Sequence, residues 1–243
     1  MSDTRDPAHD GAIQEEATLL VPALLHELRH PLMGIKGGLE LVARHAGSAV
    51  SKSPEWDLVV QQVARLEELL ASYDELLSPG KAHPGAFRVD EVVRRALELL
   101  AFRLRRLGPR FSYETAQGQP WGWGTPNALL HAVTNLMHNA NDAIDEAGGV
   151  GRLHLRVSTL DTRVEVRLSD EGTGIHDDAR ARLFTPRFTT KVPGKGTGLG
   201  LHIARTMMRS QGGEVRLVAQ DDPQRVPWAR TEFVIEVPSQ APR

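Results

Sequence analysis

The chain has 243 residues, 40% of them hydrophobic and 25% charged, with a net charge of −2 and no cysteine. That length suits one or two domains with a buried core. The balanced charge excludes a nucleic-acid footprint, no apolar run reaches the roughly 18 residues of a membrane span, and the absence of thiols excludes disulfides and thiolate chemistry. The polar start MSDTRDPAHD is unlike a signal peptide, so the expected location is the cytoplasm.

Residues 1–12 are polar and carry Pro7 and Gly11, so they are expected to be disordered. From Ile13 the apolar residues Ala17, Leu20, Leu24, Leu28, Leu32, Ile35, Leu39 and Val42 recur at helical spacing, which predicts a helix to about His45. A turn from Gly47 to Pro54 leads into a second amphipathic stripe that includes Trp56, Val63, Leu66, Tyr73 and Leu76. Residues 13–78 therefore read as an all-α helical hairpin. One hairpin leaves its apolar face half covered, and pairing with a second copy as a four-helix bundle in a homodimer closes it.

Residues 79–86 (PGKAHPGA) read as a linker, and 87–243 as a second domain. A short strand over Phe87–Val89 is expected to lead into a helix capped by Asp90 and running to about Leu107. Strand Phe111–Thr115 follows, then a helix from Pro126 to near Gly148. Strands Leu153–Ser158 and Arg163–Ser169, a helix over Gly198–Ser210 and strands Glu214–Ala219 and Thr231–Val237 complete an α/β two-layer sandwich, a mixed sheet with helices on one face.

In the first helix His26 falls off the apolar stripe, so its imidazole is expected to face solvent. Glu27 beside it can hydrogen-bond one ring nitrogen and leave the other as a nucleophile, and Pro31 is expected to bend the helix one turn later. The same residues, HELRH, match H-E-x-x-H, in which two histidines bind zinc and the glutamate activates water. A zinc hydrolase also needs a third ligand and an unbroken helix. Pro31 directly after His30 opposes that, and Glu40 or His45 are only loose candidates for the third position.

Four clusters follow in the second domain. Asn135 and Asn139, four apart on one helix, share a face, and an asparagine carbonyl is a hard ligand suited to magnesium. Asp170-Glu171-Gly172-Thr173-Gly174-Ile175 ends a strand. A carboxylate there accepts from the exocyclic amine of adenine and repels the carbonyl of guanine, while Gly172 and Gly174 let backbone lie close to a ring. Leu183 to Lys191 carries two phenylalanines ahead of Thr189-Thr190-Lys191. Gly194 to Gly200 alternates glycine into a helix start, which with Lys191 and Lys195 suits a polyphosphate.

Each cluster alone is weak, but their order is specific. A helical hairpin carrying H-E-x-x-x-P-L, then N-x-x-x-N-A, D-x-G-x-G-I, F-T-T-K and G-x-G-x-G-L-G-L, resembles the two-component sensor histidine kinases over nearly the whole chain, nearest the nitrogen-regulation branch. The resemblance implies a dimerisation and phosphoacceptor hairpin followed by a Bergerat-type ATP-binding domain like that of gyrase and Hsp90. It implies His26 as the phosphorylated nucleophile, with Glu27 polarising it. Asn139 would bind Mg2+ with Asn135 beside it, Asp170 would select adenine with Gly172 and Gly174 shaping its pocket, and Lys191, Gly196, Gly198 and Gly200 would surround the phosphates of ATP. The implied partners are the receiver domain of a response regulator, whose aspartate takes the phosphoryl group, and an upstream sensor protein. A non-catalytic nucleotide-binding scaffold remains the alternative of a different class.

His30 stands four residues after His26, where many such kinases carry asparagine or threonine to position water. Weak or altered phosphatase activity is therefore expected, and rapid dephosphorylation of the cognate regulator by purified protein would overturn that expectation.

Overall fold

The computed structural model describes residues 84–115, 118–191 and 198–240 (Phe102 in its backbone only), together with residues 28, 32–39, 41–43, 45, 50, 53, 56, 59, 60, 63, 66 and 70. Its contacts divide the chain into two units, 1–81 and 82–243.

In the first unit residues 32–39 and 41–43 are helical. Leu32 and Val63 are buried, whereas Leu28, Ile35, Val42, Val59 and Leu66 are exposed. The course of the hairpin and the expected bend at Pro31 lie outside the described residues, as do His26 and Glu27.

The second unit opens with strand β1 (Gly85–Arg88), helix α1 (Val89–Leu99) and helix α2 (Ala101–Leu107). The single helix expected from Asp90 to Leu107 is thus two, meeting at Leu100, and no glycine or proline marks the break. Nor does Asp90 cap it: Arg88 holds that position, and Asp90 sits buried in the first turn. There its carboxylate accepts from Arg88 Nε and Nη2 at 2.8 and 2.7 Å and also from Arg94. Strands β2 (Phe111–Thr115) and β3 (Trp121–Gly124) precede helix α3 (Pro126–Glu146). Strands β4 (Leu153–Thr159) and β5 (Arg163–Asp170), short helix α4 (Asp177–Arg180), helix α5 (Gly200–Arg209) and strands β6 (Glu214–Leu217) and β7 (Thr231–Pro238) follow.

Five strands form a mixed sheet in the order β2-β4-β5-β7-β6, parallel only between β2 and β4. Register builds the core. Leu155 lies opposite Leu168, Val166 opposite Ile235 and Leu168 opposite Phe233, and this inward face meets Leu129, Leu136, Met137 and Ile144 of α3, all at most 1% exposed. Asp170 opposite Thr231 is the last pair of the same face, so a carboxylate ends an otherwise apolar row.

Strand β3 was not predicted, because Trp-Gly-Trp-Gly lacks the branched side chains of a strand. It pairs with β1 as a separate antiparallel ribbon, and its glycine is needed for space. A Cβ on Gly122 would lie 2.6 Å from Val237 Cγ1 and 2.8 Å from Val89 Cγ2.

The opposite face of the sheet is polar yet covered. Arg167, with its side chain 4% exposed, bonds Glu165 at 2.9 Å and Glu232 at 3.0 Å, and reaches Asp222 at 3.4 Å. Glu232 also accepts from Ser169 Oγ and from the backbone N–H of Val226, each at 2.9 Å. These bonds hold the 218–230 segment to the sheet. Truncating Arg167 to Ala leaves the buried Glu232 without a cation and Glu165 with only the more exposed Arg163, at 3.2 Å; a loss of about 3–5 kcal/mol is expected, read as a lower midpoint in urea denaturation.

Candidate functional site

A cavity of about 140 Å3 opens between α3 and the ends of β5 and β7. Its walls are mainly apolar, with Leu136 and Ala140 on one side and Ile175, Leu201 and Phe233 on others. Its polar groups include Asn139, Glu146, Asp170, Lys191 and Thr231. A concave, mainly apolar slot with a few convergent polar groups is the usual form of a small-molecule site.

Asp170 lies on the inward face and is 2% exposed. Its Oδ1 accepts from the backbone N–H of Gly172 at 2.9 Å. Burial pushes its carboxyl up to about 6, against the opposing pull of the Gly172 N–H, the Thr231 hydroxyl and the positive charge of Arg225. Gly172 packs on α3, where a Cβ would meet Ala143 Cβ at 2.6 Å, and the Thr173 N–H donates to the Ala143 carbonyl at 3.2 Å. The D-x-G-x-G loop is thereby fixed to the helix that carries the asparagines.

Asn139 Nδ2 donates to Asn135 Oδ1 at 3.2 Å, which leaves the Asn139 carbonyl oxygen as an acceptor at the cavity. Asn135 in turn lies against Gly200 at the start of α5, so close that a Cβ on Gly200 would overlap its amide. Gly198 adopts a positive φ of 63°, and a Cβ there would run into the backbone of Arg187 and Phe188. The end of the glycine box therefore packs on the F-T-T-K segment, whose Phe188, Thr189, Thr190 and Lys191 line the cavity. Phe184 does not line the cavity; half-buried, it meets Phe233 edge-to-face at 6.4 Å and lies under the Arg205 guanidinium. Lys195 and Gly196 lie outside the described residues.

Lys191 is already paired: its Nζ lies 2.6 Å from Asp142 Oδ2, and Arg103 holds the other oxygen at 2.9 Å. Burial opposes ionisation of Asp142, but Lys191 and Arg103 outweigh it and hold the carboxyl below its ordinary value. Among the described residues no group of three or more His, Asp or Glu side chains could hold a metal ion.

Sequence reasoning missed Thr231, Asp142 and Arg103. Asp142 had a signal, since it follows Asn135 and Asn139 by seven and three positions on one helix. Thr231 had none, because it meets Asp170 only through strand register.

Comparison with known proteins places this geometry. Residues 124–241 match the family of histidine kinase-, DNA gyrase B- and HSP90-like ATPases. The sensor histidine kinase ZraS of Escherichia coli K12 is 26% identical over 202 residues, 83% of this chain and 42% of ZraS. The nitrogen regulation protein NtrY of Azorhizobium caulinodans is 27% identical over 229 residues, 90% of this chain and 29% of NtrY. Of solved structures, the mycobacterial sensor histidine kinase MprB superimposes with a TM-score of 0.51 at 27% identity, covering 66% of this chain and 100% of MprB. The chain spans less than half the length of the curated relatives it matches.

Fold and sequence thus define residues 124–241 as an ATP-binding domain of the gyrase and HSP90 type. Beyond that domain the similarity to ZraS and NtrY, both longer proteins, extends over 83% and 90% of the chain.

Asp170 carries a stability consequence. Its folded value of about 6 lies above the ordinary 3.8, so the folded state holds a proton that the unfolded state releases between pH 4 and 6. Stability is therefore lost as pH rises through that window, by about 3 kcal/mol at pH 7. Asp170→Asn is expected to raise the melting temperature at pH 7, by a margin that shrinks towards pH 4, and to abolish nucleotide binding. Thermal melts and fluorescent-nucleotide titration read the two effects separately.

Proposed function

We propose that the chain is the kinase core of a two-component sensor: it binds ATP with Mg2+ in the second unit, phosphorylates itself on His26 and passes the phosphoryl group to an aspartate of a response regulator receiver domain. The observation that carries this reading is the buried Asp170 carboxylate at the end of an apolar slot whose polar rim includes Lys191. Ionised, Asp170 accepts from an exocyclic amine and disfavours a carbonyl at the same place, which selects adenine over guanine. The slot, about 140 Å3, is short of the ~300 Å3 at which pockets for larger ligands begin. It suits the base, with ribose and phosphates running outward. Gly172 and Gly174 shape the adenine end, and Lys191, Gly196, Gly198 and Gly200 surround the phosphates.

The free carbonyl oxygen of Asn139, steadied by Asn135, fits a magnesium ion that takes its remaining ligands from phosphate oxygens and water. The ion would neutralise charge on the phosphates. The protein's own contribution is positioning: Asp170 orients the base, the lysine and glycine donors orient the γ-phosphate, and Glu27 holds the His26 imidazole in the tautomer that presents a lone pair. In the transfer, that ring nitrogen bonds to the γ-phosphorus as the bridging bond to ADP breaks. Residues 79–86 are proposed as the linker between phosphoacceptor and catalytic domains.

A homodimer through residues 13–78 is supported by Leu28, Ile35, Val42, Val59 and Leu66, whose exposure leaves apolar surface for a second copy to cover. No described helix is long and apolar enough to cross a membrane.

Incubation with γ-labelled ATP and Mg2+ tests the assignment. Acid-labile, base-stable label that disappears in His26→Gln is expected. Label retained in that variant moves the acceptor elsewhere, and nucleotide binding with no label in the wild-type protein makes the chain a scaffold.

A further inference from the structure

A second cavity, of about 310 Å3, lies on the other side of the D-x-G-x-G loop, between that loop, helix α4 and the 220–230 segment. Arg180, Arg225 and Arg230 line it with His176, Thr173 and Gln220, and no carboxylate is among its lining residues. Arg225 acts on Asp170 and Arg230 on Glu171, but neither carboxylate lines the concavity, where three guanidinium charges concentrate one sign of potential.

The arginines are held in ways that leave donors free. Arg225 Nη2 donates to the carbonyls of Ala229 at 2.6 Å and Arg230 at 3.1 Å, and Arg230 Nη1 reaches the Gly172 carbonyl at 3.4 Å. Among the described residues neither guanidinium has a carboxylate within ion-pair distance. Arg180 has only Asp177, at 2.9 Å, whose side chain is 96% exposed, a pairing of little worth in water. A guanidinium has five N–H donors in a planar fork, so Arg225, already fixed by carbonyls, can present its remaining N–H groups to an oxyanion without losing further side-chain freedom.

We propose that this cavity is a binding site for a phosphate dianion, free or as the monoester of a small molecule, and that its occupancy weakens nucleotide binding in the adjoining slot. Three guanidinium charges favour a dianion over a carboxylate, and the threonine and glutamine side chains add neutral donors. Coupling follows from shared structure. Thr173, Gly174 and Ile175 line both cavities, and the Arg230 backbone N–H donates to the Asp170 carbonyl at 2.9 Å. An anion that draws the Arg230 side chain from Gly172 and offsets the charge of Arg225 removes support from the ionised carboxylate that receives the base. Only this coupling rests on the nucleotide reading; the anion site itself does not.

The test titrates the full chain, without nucleotide and at constant ionic strength, with inorganic phosphate and separately with glycerol 3-phosphate. Calorimetry and the amide shifts of residues 173–176 are the readouts. Saturable millimolar or tighter binding is expected, weakened about tenfold in Arg225→Gln and in Arg180→Gln. The second variant changes a side chain at the cavity edge and keeps the test decisive if the first fails to fold. Tighter binding of glycerol 3-phosphate assigns the monoester, and equal binding assigns the free anion. Absence of a saturable shift, unchanged affinity in Arg180→Gln, or an equal loss in Arg205→Gln, whose side chain pairs with Glu214 outside the cavity, overturns the site. Saturating phosphate is then expected to raise the dissociation constant of ADP about fivefold, with the reciprocal effect of ADP on phosphate. If phosphate binds and ADP affinity is unmoved, the coupling fails while the site stands.

Discussion

The second unit depends on the place of one carboxylate. Asp170 ends a row of valines and leucines on the face of β5 that packs against α3, where a charge is costly. Three groups make it tolerable: the Gly172 N–H, the Thr231 hydroxyl and the more distant Arg225. Each comes from a different part of the domain, so the carboxylate fixes the turn after β5, the register of β7 and the position of the 220–230 segment together. A core residue would have packed more favourably there. The acceptor persists at a cost to stability, as expected where a site uses what the fold would rather exclude.

The sheet's two faces solve burial differently. Towards the helices, hydrophobic residues pair across register. On the other face, Arg167 gathers Glu165, Glu232 and Asp222 beneath a covering segment. Glu232 lies next to Thr231 in β7, and Ser169 next to Asp170 in β5, so the bond from Ser169 to Glu232 ties the two strands directly behind the site pair. The polar network thus buttresses the strand ends that carry Asp170 and Thr231.

Much of this was legible in the chain. Periodicity placed α3 and the strands β4, β5 and β7 nearly to the residue, because each has a buried face of branched or long apolar side chains; β2, with no buried residue, was legible from alternation alone. Of the motif residues, Asn139, Asp170, Gly174 and Lys191 line one cavity, while Asn135, Gly172, Gly198 and Gly200 are not among its lining residues. Three features were hidden, for physical reasons. The break at Leu100 has no local marker. Strand β3 is written in tryptophan and glycine, and the need for Gly122 shows only once Val89 and Val237 approach it. Thr231 reaches Asp170 across a strand pair, and register is a property of the assembled sheet.

The pair between Lys191 and Asp142, which Arg103 also holds, gives the lysine at the pocket a resident counter-ion. A bare lysine facing the slot would attract any small anion in the cell. With that carboxylate in place, an incoming anion must share the ammonium's three N–H donors with Asp142 or loosen the pair, and a lone anion has little else to offer in exchange. A molecule that inserts a ring beside Asp170 while presenting its phosphates to Lys191 makes that exchange with the help of its other end. The same contact would then re-form as the product leaves, returning the lysine to its own chain rather than to solvent.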